Sequence, residues 1–107
     1  MKRLKTKFYL LELNEANKRF DGFLKVEESE PKENDYGNKT YINITHFDKT
    51  GMIKFNTFHI DCRYMPDYTI TKATRKFVKN YYGENLKKLT LLKQSKIIAW
   101  YKYEALD

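Results

Sequence analysis

The sequence of 107 residues carries 21 basic and 14 acidic side chains, a net charge of +7, and 41% of it is hydrophobic. A chain of this length is expected to fold as one domain, residues 1–107, around a single core. The longest apolar run near its start, residues 8–11, ends at Glu12 and is too short for a membrane span or for the apolar part of a secretory signal. We therefore expect a cytoplasmic protein with no membrane partner. The single cysteine, Cys62, agrees with this because it has no partner for an internal disulfide.

Two strands are predicted in the first quarter of the chain. Residues 3–13 alternate with a period of two, with Leu4, Phe8 and Leu10 on one face, as is typical of a half-buried strand. A second strand is predicted over about 19–27, after a polar turn. The acidic segment that follows, 28–38, has the composition of an exposed loop.

The next two segments predict a hairpin. Residues 39–47 and 52–64 are rich in Tyr, Ile, Phe and Thr, and a short turn that ends in Gly51 separates them. The expected register pairs Thr45 with Lys54 and Ile44 with Phe55.

Two helices and a last strand are predicted after Pro66. Apolar residues recur at helical spacing over 71–82, with Thr69 or Thr71 as N-cap and Gly83 beyond the end. Phe77 is central to this stripe, so we expect it in the core. A second helix is predicted over about 85–94 from the spacing of three leucines, and a strand over 96–103. The leucines are Leu86, Leu89 and Leu92.

The predicted order is β-β-β-β-α-α-β, which favours an α+β fold: an antiparallel sheet of about five strands with the helices packed on one face. Over about residues 3–82, this order resembles that of small transcription cofactors whose sheets bind unpaired nucleic-acid strands. The resemblance implies a nucleic-acid partner.

The charge distribution points in the same direction. Residues 68–103 carry nine basic side chains against Glu84 alone, a net charge of +8, and such asymmetry favours a polyanionic partner. Helical spacing places four of these residues on one face, and further lysines follow. The candidate nucleic-acid-binding residues are Lys72, Arg75, Lys76, Lys79, Lys87 and Lys88, together with Arg3, Lys5 and Lys7 of the first strand.

No pattern indicates catalysis, a cofactor or a metal. In the expected hairpin register, His46 and His59 share a face but lie about 20 Å apart, too far for one metal ion. Cys62 lacks any local signature of a nucleophile and is expected to be a small buried residue. Glycines are too few and scattered for a phosphate-binding loop.

Two functions are compatible with these patterns. The first is a non-enzymatic nucleic-acid-binding accessory protein that contacts phosphates through its lysine-rich helix. The alternative is a protein-binding module that inhibits or adapts a host enzyme, of the kind that phages and mobile elements encode. Nucleic-acid binding is expected to weaken steeply with salt, and a protein interface much less so.

Overall fold

The computed structural model describes residues 4–29 and 40–93. They form a five-stranded antiparallel sheet in the order β4-β3-β2-β1-β5, and one α-helix. The elements are β1 (Thr6–Leu13), a 3-10 helix (Glu15–Phe20), β2 (Gly22–Ser29), β3 (Tyr41–Asp48), β4 (Lys54–Asp61), α1 (Ile70–Tyr82), a 3-10 turn (Gly83–Asn85) and β5 (Leu86–Leu91). The α+β class is therefore confirmed, with more sheet than helix.

The predicted second helix is wrong, because residues 86–91 form the edge strand β5 beside β1. Leu89 lies opposite Leu11 and Leu86 opposite Leu13, while Lys87 has no partner of its own in the register. This bulge inserts one residue into the strand. Leu86 and Leu89 are three positions apart, which is a helical spacing, but because of the bulge they lie on the same face of the strand.

The predicted hairpin register is also wrong, by three positions over most of its length. The structure pairs Ile44 with Phe58, Thr45 with Thr57 and His46 with Asn56. The loop closes at Asp48, whose N–H donates to the Ile53 carbonyl at 2.9 Å. Each residue of this closing pair lies one position later in the sequence than expected, which shifts the register by two positions. A bulge at Phe55, between the Phe47–Lys54 and His46–Asn56 pairs, adds the third position.

The core lies between α1 and one face of the sheet. It is formed by buried side chains of four elements: Tyr9, Leu11 and Leu13 of β1, Leu24 and Val26 of β2, Ile42 and Ile44 of β3, and Ile70, Ala73 and Val78 of α1. The strand period was correctly predicted for β1, but its core face was not. Tyr9 is fully buried, whereas Leu4 is 46% exposed.

The helix begins and ends as the sequence predicts. The Thr69 hydroxyl accepts the Lys72 N–H at 3.0 Å, and so caps the first turn. At the other end the Gly83 N–H donates to the Lys79 carbonyl, with Gly83 at φ 53°, in the region that favours glycine.

A buried carboxylate fixes the segment that leads into α1. Glu28 accepts the Lys5 N–H at 2.9 Å and the Tyr68 hydroxyl at 2.6 Å. Burial and this carboxylate raise the pKa of Tyr68, so Tyr68 stays a donor at neutral pH. The Tyr9 hydroxyl donates to Thr71 at 3.1 Å. These contacts attach the start of the helix to β1 and β2.

Some predicted element boundaries differ from those of the structure, and other predictions concern residues that it does not describe. Residues 19 and 20, expected in β2, belong to the 3-10 helix, and residues 28 and 29, expected in the loop, end β2. The rest of the acidic loop and the strand expected over 96–103 lie outside the described residues. Among the helices of the described residues, none has the length and apolar character needed to cross a membrane.

Candidate nucleic-acid interface

The basic residues predicted on the helix share one exposed surface. Lys72, Arg75, Lys76 and Lys79 are all exposed and stand opposite the buried stripe of Ile70, Thr74 and Val78 on α1. We call these four residues the basic helix face. Helical spacing puts neighbours on this face about 5–6 Å apart at their Cβ atoms, so the side chains act on one region of space.

No acidic group neutralises the basic helix face within the described residues. The sequence of α1 contains no aspartate or glutamate. The ion pairs seen in residues 4–29 and 40–93 join Lys25 to Glu27 and Arg63 to Asp61, and neither involves the helix. The four charges are therefore available to an anion.

The other predicted basic residues lie elsewhere on the sheet. Lys87 and Lys88 are exposed, but they stand on the edge strand β5, where Lys88 lies opposite Glu12. Lys5 precedes β1, and Lys7 of β1 lies opposite Val26. Arg3 lies outside the described residues. The structure thus brings together the four helix residues but not the whole predicted set.

A groove separates the helix from the edge strand β4. The helix packs mainly over β2 and β5, so the β4 side of the sheet extends beyond it. One hollow of about 430 Å³ opens there. It is lined by Ile60, Asp61, Cys62 and Met65 on one side and by Ala73, Lys76, Phe77, Asn80 and Tyr81 of the helix on the other.

Two aromatic rings of the helix, Phe77 and Tyr81, line this hollow, and the Phe58 ring packs against both. Phe77 and Tyr81 are stacked, with 25° between their planes and 5.5 Å between their centroids. The Phe58 ring of β4 contacts both, at 4.8 Å from each centroid. Tyr82 also contacts the Tyr81 ring edge-on, at 4.9 Å between centroids. Tyr81 is nevertheless 56% exposed, so the side chain is held in place and still reaches solvent.

A second hollow of about 390 Å³ lies on the other side of the Phe58–Tyr81 ring pair. Tyr81 lines both hollows. The second is bounded by the rings of Phe20, His46, Phe55 and Tyr82. Three amide side chains also line it, those of Asn17, Asn56 and Asn85. The two hollows together form a groove between α1 and β4, with aromatic rings at its centre.

His46 links the elements around the second hollow. Its Nε2 lies 2.9 Å from the Phe20 carbonyl, and its Nδ1 lies 3.2 Å from the Tyr82 hydroxyl. The carbonyl can only accept, so Nε2 carries the proton and Nδ1 accepts from Tyr82. Burial lowers the pKa of His46, against a smaller opposing effect of the Phe20 carbonyl. Burial also raises the pKa of Tyr82 to about 12. Both groups are therefore neutral at pH 7.

The register that places the two histidines on one face is wrong. The true pairing places them on opposite faces of the sheet. His59 lies opposite Asn43 and His46 opposite Asn56. Paired residues share a face and successive residues alternate, so the two imidazoles lie on opposite faces of the sheet. They do not form a common metal site.

Asp61 and Cys62 have other roles. The Arg63 guanidinium binds the Asp61 carboxylate at 2.7–3.1 Å and lowers its pKa, which offsets the negative charge at the groove. Burial raises the pKa of the Cys62 thiol, the opposite of what a nucleophile requires.

Comparisons of this chain with family models, curated proteins and solved structures give no match. The interface is therefore interpreted from its own geometry. The sequence pattern predicted the basic helix face, but it did not predict the position of Phe58 or the groove. A correct hairpin register, with Phe58 on the helix side of the edge strand, would have indicated it.

Proposed function

We propose that this protein is a small, non-enzymatic nucleic-acid-binding protein that contacts phosphates through the basic helix face. The observation that carries the proposal is the placement of Lys72, Arg75, Lys76 and Lys79 on one exposed face of α1 with no acidic partner in the described part of the chain. A solvated lysine face is common on amphipathic helices, so the adjoining aromatic groove adds important support.

The chemistry of the face favours phosphates over base edges. Charge-neutralising contacts from lysine and arginine supply most of the non-specific affinity for nucleic acids. Three of the four residues are lysines, whereas arginine is the favoured bidentate reader of guanine. Binding is therefore expected to depend weakly on sequence.

The test compares two variants with the same loss of charge. Lys72, Lys76 and Lys79 are replaced by glutamine in one variant, and Lys87, Lys88 and Lys93 in the other. All six side chains are exposed. Fluorescence anisotropy with labelled oligonucleotides at about 50 mM salt measures the affinity of each.

We expect the helix variant to bind at least about ten-fold more weakly than wild type, and the variant at Lys87, Lys88 and Lys93 to bind much more tightly than the helix variant. Glutamine is a good helix former, so the melting temperature should change little. Equal losses in both variants would mean that net charge alone attracts the nucleic acid. Absence of binding by wild type would remove the proposal.

A protein partner is the second candidate, supported by a different observation. Met52 and Ile53, at the tip of the β3–β4 hairpin, are 59% and 57% exposed, and Phe55 is exposed beside them. Large exposed apolar side chains that lie together are typical of protein contact surfaces. A module of this kind would inhibit or adapt a host enzyme through this tip, and its binding would depend little on salt.

A further inference from the structure

We propose that the groove between α1 and β4 holds unpaired bases, so that the protein prefers single-stranded nucleic acid to duplex. This inference rests on the proposed function and names the substrate class of the same surface. Its basis is the juxtaposition of an exposed, fixed ring, Tyr81, with two hollows and with the charge of Lys76.

Tyr81 has the properties of a stacking platform. Base stacking on an aromatic side chain stabilises single-strand complexes and is tolerant of sequence, because every base has a π-face. Phe77 and Phe58 already hold the Tyr81 ring at centroid distances of 5.5 and 4.8 Å. Little side-chain entropy is therefore lost when a base stacks on it.

The first hollow also has polar groups suited to a base and its phosphate. Its volume of about 430 Å³ lies within the range of small-ligand sites. Asn80 on its rim offers both donors and acceptors to a base edge. Lys76 belongs both to this rim and to the basic helix face, so one side chain connects the base site to the phosphate site.

The charges around the groove complement an anionic strand. Asp61 is the acidic residue that lines the first hollow, and the Arg63 guanidinium binds it through both oxygens. The helix side contributes Lys76, with Lys72 and Lys79 one turn away on either side. A polyanion with flat rings matches this combination, and single-stranded nucleic acid has both properties.

A duplex cannot use the groove in the same way. Its bases are stacked on each other, and each base that enters a protein pocket must first be unpaired and unstacked, which costs free energy. This cost is smallest for a base that is already single-stranded, because it has no base pair to break. Both forms can reach the lysines, so the ring contact is what separates them.

The test replaces the ring and keeps the charge. Tyr81→Leu removes the π-face, and Tyr81→Phe retains it. Tyr64→Leu is the matched control, because Tyr64 is 77% exposed and lines neither hollow. Anisotropy is measured for each variant with a labelled single strand and with a duplex of the same sequence.

We expect wild type to bind the single strand more tightly than the duplex. Tyr81→Leu should weaken single-strand binding by roughly 5- to 100-fold, as expected for one lost stacking contact, and leave duplex binding and the salt slope unchanged. Tyr81→Phe and Tyr64→Leu should bind like wild type.

Two results would overturn the inference while the proposed function stands: equal wild-type affinity for both forms, or single-strand binding by Tyr81→Leu that equals wild type. A wild-type protein that binds neither form removes the proposed function itself, and the protein-partner candidate then takes its place. The outcomes therefore distinguish the two failures.

Discussion

His46 is expected to make the protein less stable in mild acid. It is only 4% exposed, and it is held by the Phe20 carbonyl and the Tyr82 hydroxyl. Protonation of Nδ1 would remove the acceptor for the Tyr82 hydroxyl and place a charge in the core. Burial therefore lowers the pKa of His46 in the folded state below its usual value of 6.5.

The sign of the effect follows from this difference. The unfolded chain binds the proton first as the pH falls, so stability is fully present above about 6.5 and decreases as the pH falls towards the folded-state pKa. One proton corresponds to about 1.4 kcal/mol per pH unit. Between pH 7.5 and 5.5 the free energy of unfolding should fall by up to about 1.4 kcal/mol from this group alone, which for a domain of this size is a change of roughly 5–10 °C in melting temperature.

The assay is urea unfolding at pH 7.5, 6.5 and 5.5 for wild type, His46→Gln and His59→Gln. His46→Gln should be less stable at pH 7.5 and should lose most of the pH dependence. His59→Gln serves as the control for the loss of an imidazole, because His59 is exposed and lies on the opposite face of the sheet. If His46→Gln keeps the wild-type pH dependence, or if wild type becomes more stable in acid, the placement of a neutral histidine in the core is wrong.

Four further substitutions test the packing of the fold, each measured by urea unfolding. Phe77 is only partly buried at the edge of the core, so Phe77→Ala should cost about 2 kcal/mol, below the 3–5 kcal/mol of a fully buried phenyl group. Leu24→Ala should cost more, about 3 kcal/mol, because Leu24 is completely enclosed; the reverse order would contradict the placement of the core. Gly22→Ala should cost about 3 kcal/mol or more, since its Cβ would lie 1.9 Å from the Phe47 carbonyl oxygen. Gly83→Ala meets no atom within 4 Å, so its cost, about 1–3 kcal/mol, comes from its backbone conformation alone, φ 53° and ψ −126°; a smaller cost for Gly22→Ala than for Gly83→Ala would argue against the close β2–β3 approach.

The elements that the sequence predicted well are those with an unbroken period. Strands β1 to β4 alternate regularly over most of their length, and α1 has an apolar stripe between a threonine cap and Gly83. A bulge contributes to each of the two main errors, at Lys87 and at Phe55, and the displaced closing pair Asp48–Ile53 adds the other two positions of the hairpin shift. A bulge shifts the phase of a strand by one residue, so Leu86 and Leu89 imitate a helix and the hairpin register moves.

One part of the candidate site could be predicted from the sequence and the other part could not. The basic helix face was predictable because the helical period alone fixes which residues share a face. The groove was not, since it depends on long-range pairing. Phe58 contacts Tyr81 only because the true register pairs it with Ile44, on the face of the sheet that α1 covers.

The salt dependence of nucleic-acid affinity tests the central claim most directly. The logarithm of the binding constant should fall linearly with the logarithm of salt concentration. Replacement of Lys72, Lys76 and Lys79 by glutamine should reduce the steepness of that line by about three for a duplex, or about two for a single strand. A wild-type protein that binds no nucleic acid at about 50 mM salt, or a variant with the wild-type slope, would contradict the assignment of the basic helix face as the phosphate-binding surface.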